Sequence, residues 1–131
     1  MKITDLLKKQ SICLNGKAES KEQVIREMVD LMAKGGNIND IDTYRDTVFK
    51  REEEGTTGIG EGIAIPHGKT EAVIAPGLAA MVLPEGVDYD SLDGEPAYLI
   101  FLIAAPNTED NVHLEVLSRL SMLLMDEDFR N

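Results

Sequence analysis

Positive charge is scarce in this sequence: 13 Lys and Arg stand against 24 Asp and Glu, a formal net charge of −11 over 131 residues. Such a field repels phosphate, which argues against nonspecific attachment to nucleic acid or to an anionic membrane, and favours partners with basic patches. The same excess also serves solubility. Cysteine is nearly missing. With Cys13 as the single one, no intrachain disulfide can form and a reducing compartment is the natural setting. Within Ile12-Cys13-Leu14 the thiol reads as a small buried hydrophobe rather than a reactive group. No apolar run approaches the roughly 20 residues needed to cross a bilayer, and the opening MKITDLLKKQ lacks the apolar centre of a secretory signal. A soluble, cytoplasmic protein without membrane insertion is expected. Linkers, internal repeats and low-complexity stretches are absent too, and 131 residues suit one domain that buries a single core without metal or disulfide.

What is present alternates between helical and strand patterns. Ser20 and Gln23 have capping-box spacing, and Val24, Ile25, Met28, Leu31 and Met32 follow on one helical face until Gly35-Gly36. After Asn39-Asp40 a second helical pattern runs through Ile41, Tyr44 and Val48 to Arg51 and the acids Glu52, Glu53 and Glu54. Acids at a helix C-terminus oppose the macrodipole, so the helix is expected to end there. Gly55 to Gly62 reads as a glycine-rich loop feeding a short strand, Ile63-Ala64-Ile65-Pro66, that stops at His67. Leu78 to Leu83 and Ala97 to Ala104 are continuous apolar runs bounded by proline and glycine, expected as buried central strands. Leu114, Leu117, Leu120, Leu123 and Leu124 recur at helical spacing behind polar residues that can cap the turn. The fold class expected is α/β, a mixed β-sheet sandwiched between helices.

Imidazole chemistry has two candidates, His67 and His113. Beyond a proline and before Gly68, His67 has a rigidly placed backbone and a side chain that can be exposed. Neutral imidazole keeps an unprotonated ring nitrogen at a pKa of about 6.5, so it can attack phosphorus without a separate base. An ordinary structural histidine is the competing reading. His113 falls in the first turn of the last helical pattern, where unpaired N–H groups and the positive end of the dipole favour anions; an idle polar residue at a helix start is the alternative. As metal ligands the two are weak candidates, since no further His or Cys lies at ligand spacing. The glycine-rich segment is no nucleotide loop: it follows a helix and precedes a strand, the reverse of dinucleotide and Walker loops, and the Walker Lys-Ser/Thr pair is missing. It can still cradle a phosphoryl group, with Thr56 and Thr57 offering hydroxyls and Arg51 a planar fork of donors. Arg51 as a surface charge paired with Glu52 or Glu54 stays open.

The run from Arg51-Glu52 through Thr57-Gly58-Ile59-Gly60-Glu61-Gly62-Ile63-Ala64-Ile65-Pro66-His67-Gly68 closely resembles the active-site segment of type 2 enzymes IIA, the fructose/mannitol family of the sugar phosphotransferase system. Ala97 to Pro106 resembles that family's strand ending in Ala-x-Pro, and His113-Leu114 with Leu117-Ser118 resembles its His-Leu helix. The resemblance implies a single domain over residues 1–131, a mixed sheet with helices on both sides, and a chain lacking the family's C-terminal helix beyond the Asp-x-x-Phe region. It implies a phosphotransferase in which His67 takes a phosphoryl group from the phosphocarrier HPr and gives it to enzyme IIB; a IIB and a membrane IIC encoded beside this chain, or fused after Asn131, would favour transport. His113 would support the phosphorylated ring, with Arg51 and Thr57 as neighbours. No cofactor and no metal are expected, because a loose phosphoryl transition state needs positioning and hydrogen-bond donors.

Sugar uptake, with fructose favoured, is the leading functional reading. The alternative is a nitrogen-related regulatory paralogue whose phosphorylation state governs protein binding, and a metal-dependent hydrolase is a third. Fold alone does not separate the first two.

Overall fold

The computed structural model describes residues 7–60, 62–75 and 77–106. In chain order these form β1 (Leu7–Cys13), α1 (Lys21–Lys34), α2 (Ile41–Glu54), β2 (Gly58–Gly60), β3 (Ile63–Ala64), β4 (His67–Thr70), β5 (Gly77–Val87) and β6 (Ala97–Pro106). The expected last helix around Leu114 to Leu124, with His113 at its start, lies outside the described residues. Among the described residues no helix is long and apolar enough to cross a membrane.

Both helices start and stop where side-chain chemistry permits. Ser20 accepts from the Gln23 backbone N–H at the N-cap of α1, and Asp40 does the same for Thr43 at α2, each satisfying a donor that the first turn leaves unpaired. The Gln23 side chain returns to the backbone N–H of Glu19, not to that of Ser20, so the reciprocal bond of the expected capping box is displaced by one residue. Gly35 and Gly36 close α1, the latter at φ +80°, and α2 ends at the three acids as expected.

The six strands form one mixed sheet in the order β1-β5-β6-β3-β2, with β4 also paired to β6. β5 and β6 are antiparallel, while β1 on β5 and both β3 and β4 on β6 are parallel. Alternate side chains of the central strands face opposite ways. Ala79, Met81, Leu83, Ile100, Leu102 and Ala104 join one apolar cluster with Val24, Ile25, Met28, Val29, Met32, Tyr44 and Val48 of the helices. Leu78, Ala80, Phe101 and Ile103 point the other way and are buried as well. Both faces of the centre are therefore shielded, which is why β5 and β6 read as unbroken apolar runs rather than alternating ones. β5 continues past Pro84 to Val87, beyond the expected end at Leu83, through an irregular stretch of the β5/β6 register. Cys13 is half-buried against the core, while Leu14 beside it is exposed.

Candidate functional site

His67 does not end a strand; it begins one. β3 and β4 lie along β6 in one continuous register, Ile63 and Ala64 opposite Leu99 and Ile100, then His67 to Thr70 opposite Ile103 to Pro106. They are a single parallel line interrupted at Ile65-Pro66, where proline has no N–H to give to a ladder. The Pro66 carbonyl still accepts from the Ile103 N–H at 3.0 Å, so the break does not detach the segment. Upstream, Gly58–Gly60 pairs antiparallel with β3, so part of the expected glycine loop is the short strand of a hairpin.

Next to the ring, Gly68 lets α2 come close. A Cβ at Gly68 would lie 3.0 Å from Val48 Cγ2, 3.1 Å from Tyr44 Cε1 and 3.4 Å from Thr47 Cγ2. The Tyr44 hydroxyl donates to the Ile103 carbonyl at 2.8 Å, tying the same helix to the residue opposite His67. This contact places the C-terminal turn of α2, with Arg51 and Glu52, beside the imidazole.

The His67 ring is half-buried, and its Nδ1 lies 3.1 Å from the Ile65 carbonyl. A carbonyl can only accept, so Nδ1 carries the hydrogen and, in the neutral ring, the lone pair resides on Nε2. Burial pulls the affinity of the ring for a proton below the ordinary histidine value; the Ile65 bond opposes this, Arg51 adds to it, and Glu52 and Glu54 counter it. The neutral ring is thus the form that this environment favours near pH 7.

Of the other residues picked out from the sequence, Arg51 lies close enough to act on the His67 charge, and its Nη1 donates to the Gly55 carbonyl at 2.9 Å. It thereby covers a carbonyl at the end of its own helix. Thr57 is buried, its hydroxyl bonded to Glu52 Oε1 and lying 3.2 Å from the Tyr89 hydroxyl. Thr56 Oγ1 meets the Tyr89 carbonyl at 3.1 Å and accepts from the Gly58 N–H at 3.1 Å. Both hydroxyls are therefore engaged within the protein. His113 lies outside the described residues. Among those described, no three of His, Cys, Asp and Glu gather as a metal centre requires.

Glu52 was not legible as a site residue. Its side chain is 6% exposed and meets Lys21 Nζ at 2.8 Å, with further bonds from the Thr57 N–H at 3.2 Å and the Tyr89 hydroxyl at 3.0 Å. Lys21 also sits over the Tyr89 ring, 4.7 Å from its centre. Burial and the Glu52 charge hold the Tyr89 phenol well above its ordinary pKa, so it stays protonated and donates. In the sequence Glu52 is one of three successive acids, Lys21 lies on another helix and Tyr89 stands between two aspartates, so no spacing rule joins them.

Residues 5–131 match the family model described as phosphoenolpyruvate-dependent sugar phosphotransferase system, EIIA 2. The chain is 54% identical over 130 residues to the fructose-specific EIIABC component of Bacillus subtilis, a match that covers 99% of this chain and 20% of that protein. The chain thus spans a fifth of that relative's length. Among solved structures, the nitrogen regulatory protein IIA-Ntr of Neisseria meningitidis superimposes with a TM-score of 0.89 at 32% identity, covering 98% of this chain and 87% of that one. The mannitol enzyme IIA of Escherichia coli, solved in complex with phosphorylated enzyme IIB, gives a TM-score of 0.79 at 34% identity, covering 94% and 85%.

Proposed function

The chain belongs to the EIIA 2 family of the phosphoenolpyruvate-dependent sugar phosphotransferase system, and from that premise we propose that His67 carries a phosphoryl group from phospho-HPr to an enzyme IIB in a cytoplasmic relay for fructose uptake. The observation that carries this reading is the Nδ1 contact with the Ile65 carbonyl. It leaves the Nε2 lone pair to form the new N–P bond while the N–P bond of phospho-HPr breaks, and the released ring of HPr takes back the electron pair. The second transfer is the same step in the other direction of exchange: the Nε2–P bond breaks as the acceptor nucleophile of IIB bonds to phosphorus. Little covalent work falls to other groups, because the transferring phosphoryl is loosely bonded to both partners in the transition state and needs chiefly alignment and donors to its oxygens. Arg51, one turn of α2 away from the Gly68 contact, supplies positive charge there. His113 supports the phosphorylated ring in this reading.

The fructose-specific Bacillus relative supports the sugar and an acceptor domain within one polypeptide. A regulatory role is the second reading, favoured by the likeness to the meningococcal nitrogen regulatory protein; it uses the same phosphohistidine and differs in the protein that reads it. The test is incubation with phosphoenolpyruvate, enzyme I and HPr, followed by intact-mass measurement at neutral pH. The wild-type chain is expected to gain one acid-labile phosphoryl group and to lose it to a cognate IIB. His67→Ala gains none, and His113→Ala is labelled but transfers onward poorly. Labelling of folded His67→Ala together with failure of folded His113→Ala would move the nucleophile to the other histidine.

A further inference from the structure

Resting on that reading, we propose that Glu52 is the positioning residue of His67, acting through the backbones of Thr57 and Ile65 in series. The carboxylate accepts the Thr57 N–H at 3.2 Å. The carbonyl of Thr57 accepts the Ile65 N–H at 3.0 Å, and the carbonyl of Ile65 faces His67 Nδ1 at 3.1 Å. Thr57 and Ile65 are each bonded at both their N–H and their C=O, which fixes the two planar peptide units on either side of each Cα, so the position of the carboxylate is passed to the imidazole. Lys21 fixes the other end, at 2.8 Å from Glu52 Oε2, while Tyr89 and the Thr57 hydroxyl hold Oε1.

Helix stability does not account for this pair. Lys21 is the first residue of α1 and Glu52 lies in the last turn of α2, so each charge stands at the end of its helix that the macrodipole disfavours. A carboxylate removed from water also costs free energy unless it is paired and hydrogen-bonded. Both costs are offset by an arrangement whose bonds run toward Thr57, Ile65 and His67. Packing alone would be served by an apolar side chain of the same size.

The experiment uses the full chain with 15N-labelled histidine. Long-range proton–nitrogen correlation reads the His67 tautomer, and labelling by phospho-HPr reads the rate per folded molecule. In the wild type Nδ1 is expected to carry the hydrogen. In Glu52→Ala the tautomers mix and the labelling rate falls roughly tenfold or more, as expected when a reacting group loses its alignment, while the HPr concentration at half-maximal rate stays unchanged. Glu52→Gln, which keeps the shape and one acceptor, is expected to restore part of both. A folded Glu52→Ala with the wild-type tautomer and rate overturns the proposal. Should Glu52→Ala not fold, Glu52→Gln and Lys21→Met decide by the same two readouts. If the wild type takes no phosphoryl group, the functional reading fails, whereas the tautomer shift still tests Glu52; an unmoved tautomer in a chain that is phosphorylated sinks the Glu52 proposal alone.

Discussion

Replacing Gly68 by alanine tests whether the approach of α2 to the histidine strand is needed for transfer as well as for packing. The added methyl would meet Val48 Cγ2 at 3.0 Å and Tyr44 Cε1 at 3.1 Å, closer than carbon atoms rest without repulsion. Neither neighbour can step aside. Both are fully buried, Val48 is β-branched with one favoured rotamer in a helix, and Tyr44 is held at its far end by the Ile103 carbonyl. Relief must come from an outward shift of α2, and overpacking of this kind costs about 1–3 kcal/mol. For a chain of this size that corresponds to melting roughly 4–10 °C lower. The shift also moves Arg51 and Glu52 away from His67, so the transfer rate from phospho-HPr per folded molecule should fall further than stability alone explains. Gly36→Ala is the matched comparison: its φ is +80° with nothing within 4 Å of the new methyl, so it costs about 1 kcal/mol in backbone strain beyond the end of α1 rather than on the histidine strand. Urea melts and labelling rates on both variants separate the effects. If Gly68→Ala melts like the wild type, or if both variants lose stability and neither loses rate, the argument that this contact places the site is refuted.

Two further outcomes follow from the same geometry. Arg51→Ala removes charge beside His67 and the bond to the Gly55 carbonyl; transfer should weaken by about 1.5–3 kcal/mol, the range of a charge-assisted contact, with a smaller loss in the urea midpoint, and equal losses would make Arg51 structural. Burial lowers His67 below the ordinary value of 6.5, so the folded chain binds this proton less readily than the unfolded one. Its contribution to stability is present above that value and is lost as pH falls through the folded one. The labelling rate should correspondingly hold until pH is below 6.5, and an inflection above it in a rate profile or a proton NMR titration would contradict the burial argument.

The parts of the fold that the sequence announces are those where one local rule decides. Ser20, Asp40 and the Gly35-Gly36 pair set helix ends through their own backbone and side-chain bonds, and the two long apolar runs are strands buried on both faces. β1 escapes notice because Leu-Lys-Lys-Gln-Ser-Ile-Cys is mostly polar and becomes a strand by pairing with β5. The strand start at His67 was hidden for a related reason. Proline does end ladder bonding locally, but register with β6 resumes one residue later, and only the partner strand specifies that. At the site, His67, Arg51 and Thr57 stand out by residue type and by resemblance. Glu52, Lys21 and Tyr89 do not, since their roles arise from meeting across three separate elements.

The place of β6 bears on how the chain comes to fold as it is synthesised. β5 bonds one side of it and both β3 and β4 the other, so the histidine segment waits for a partner that the ribosome delivers later. Until residues 97–106 emerge, β3 and β4 lack their main ladder and β5 has β1 as its one parallel neighbour. Pairings this distant in sequence make folding slow compared with helix formation. The strand that carries His67 is therefore completed late, when β6 closes the sheet, and a nascent chain stalled before it would carry the whole glycine-rich segment without the partner strand that holds the histidine in line.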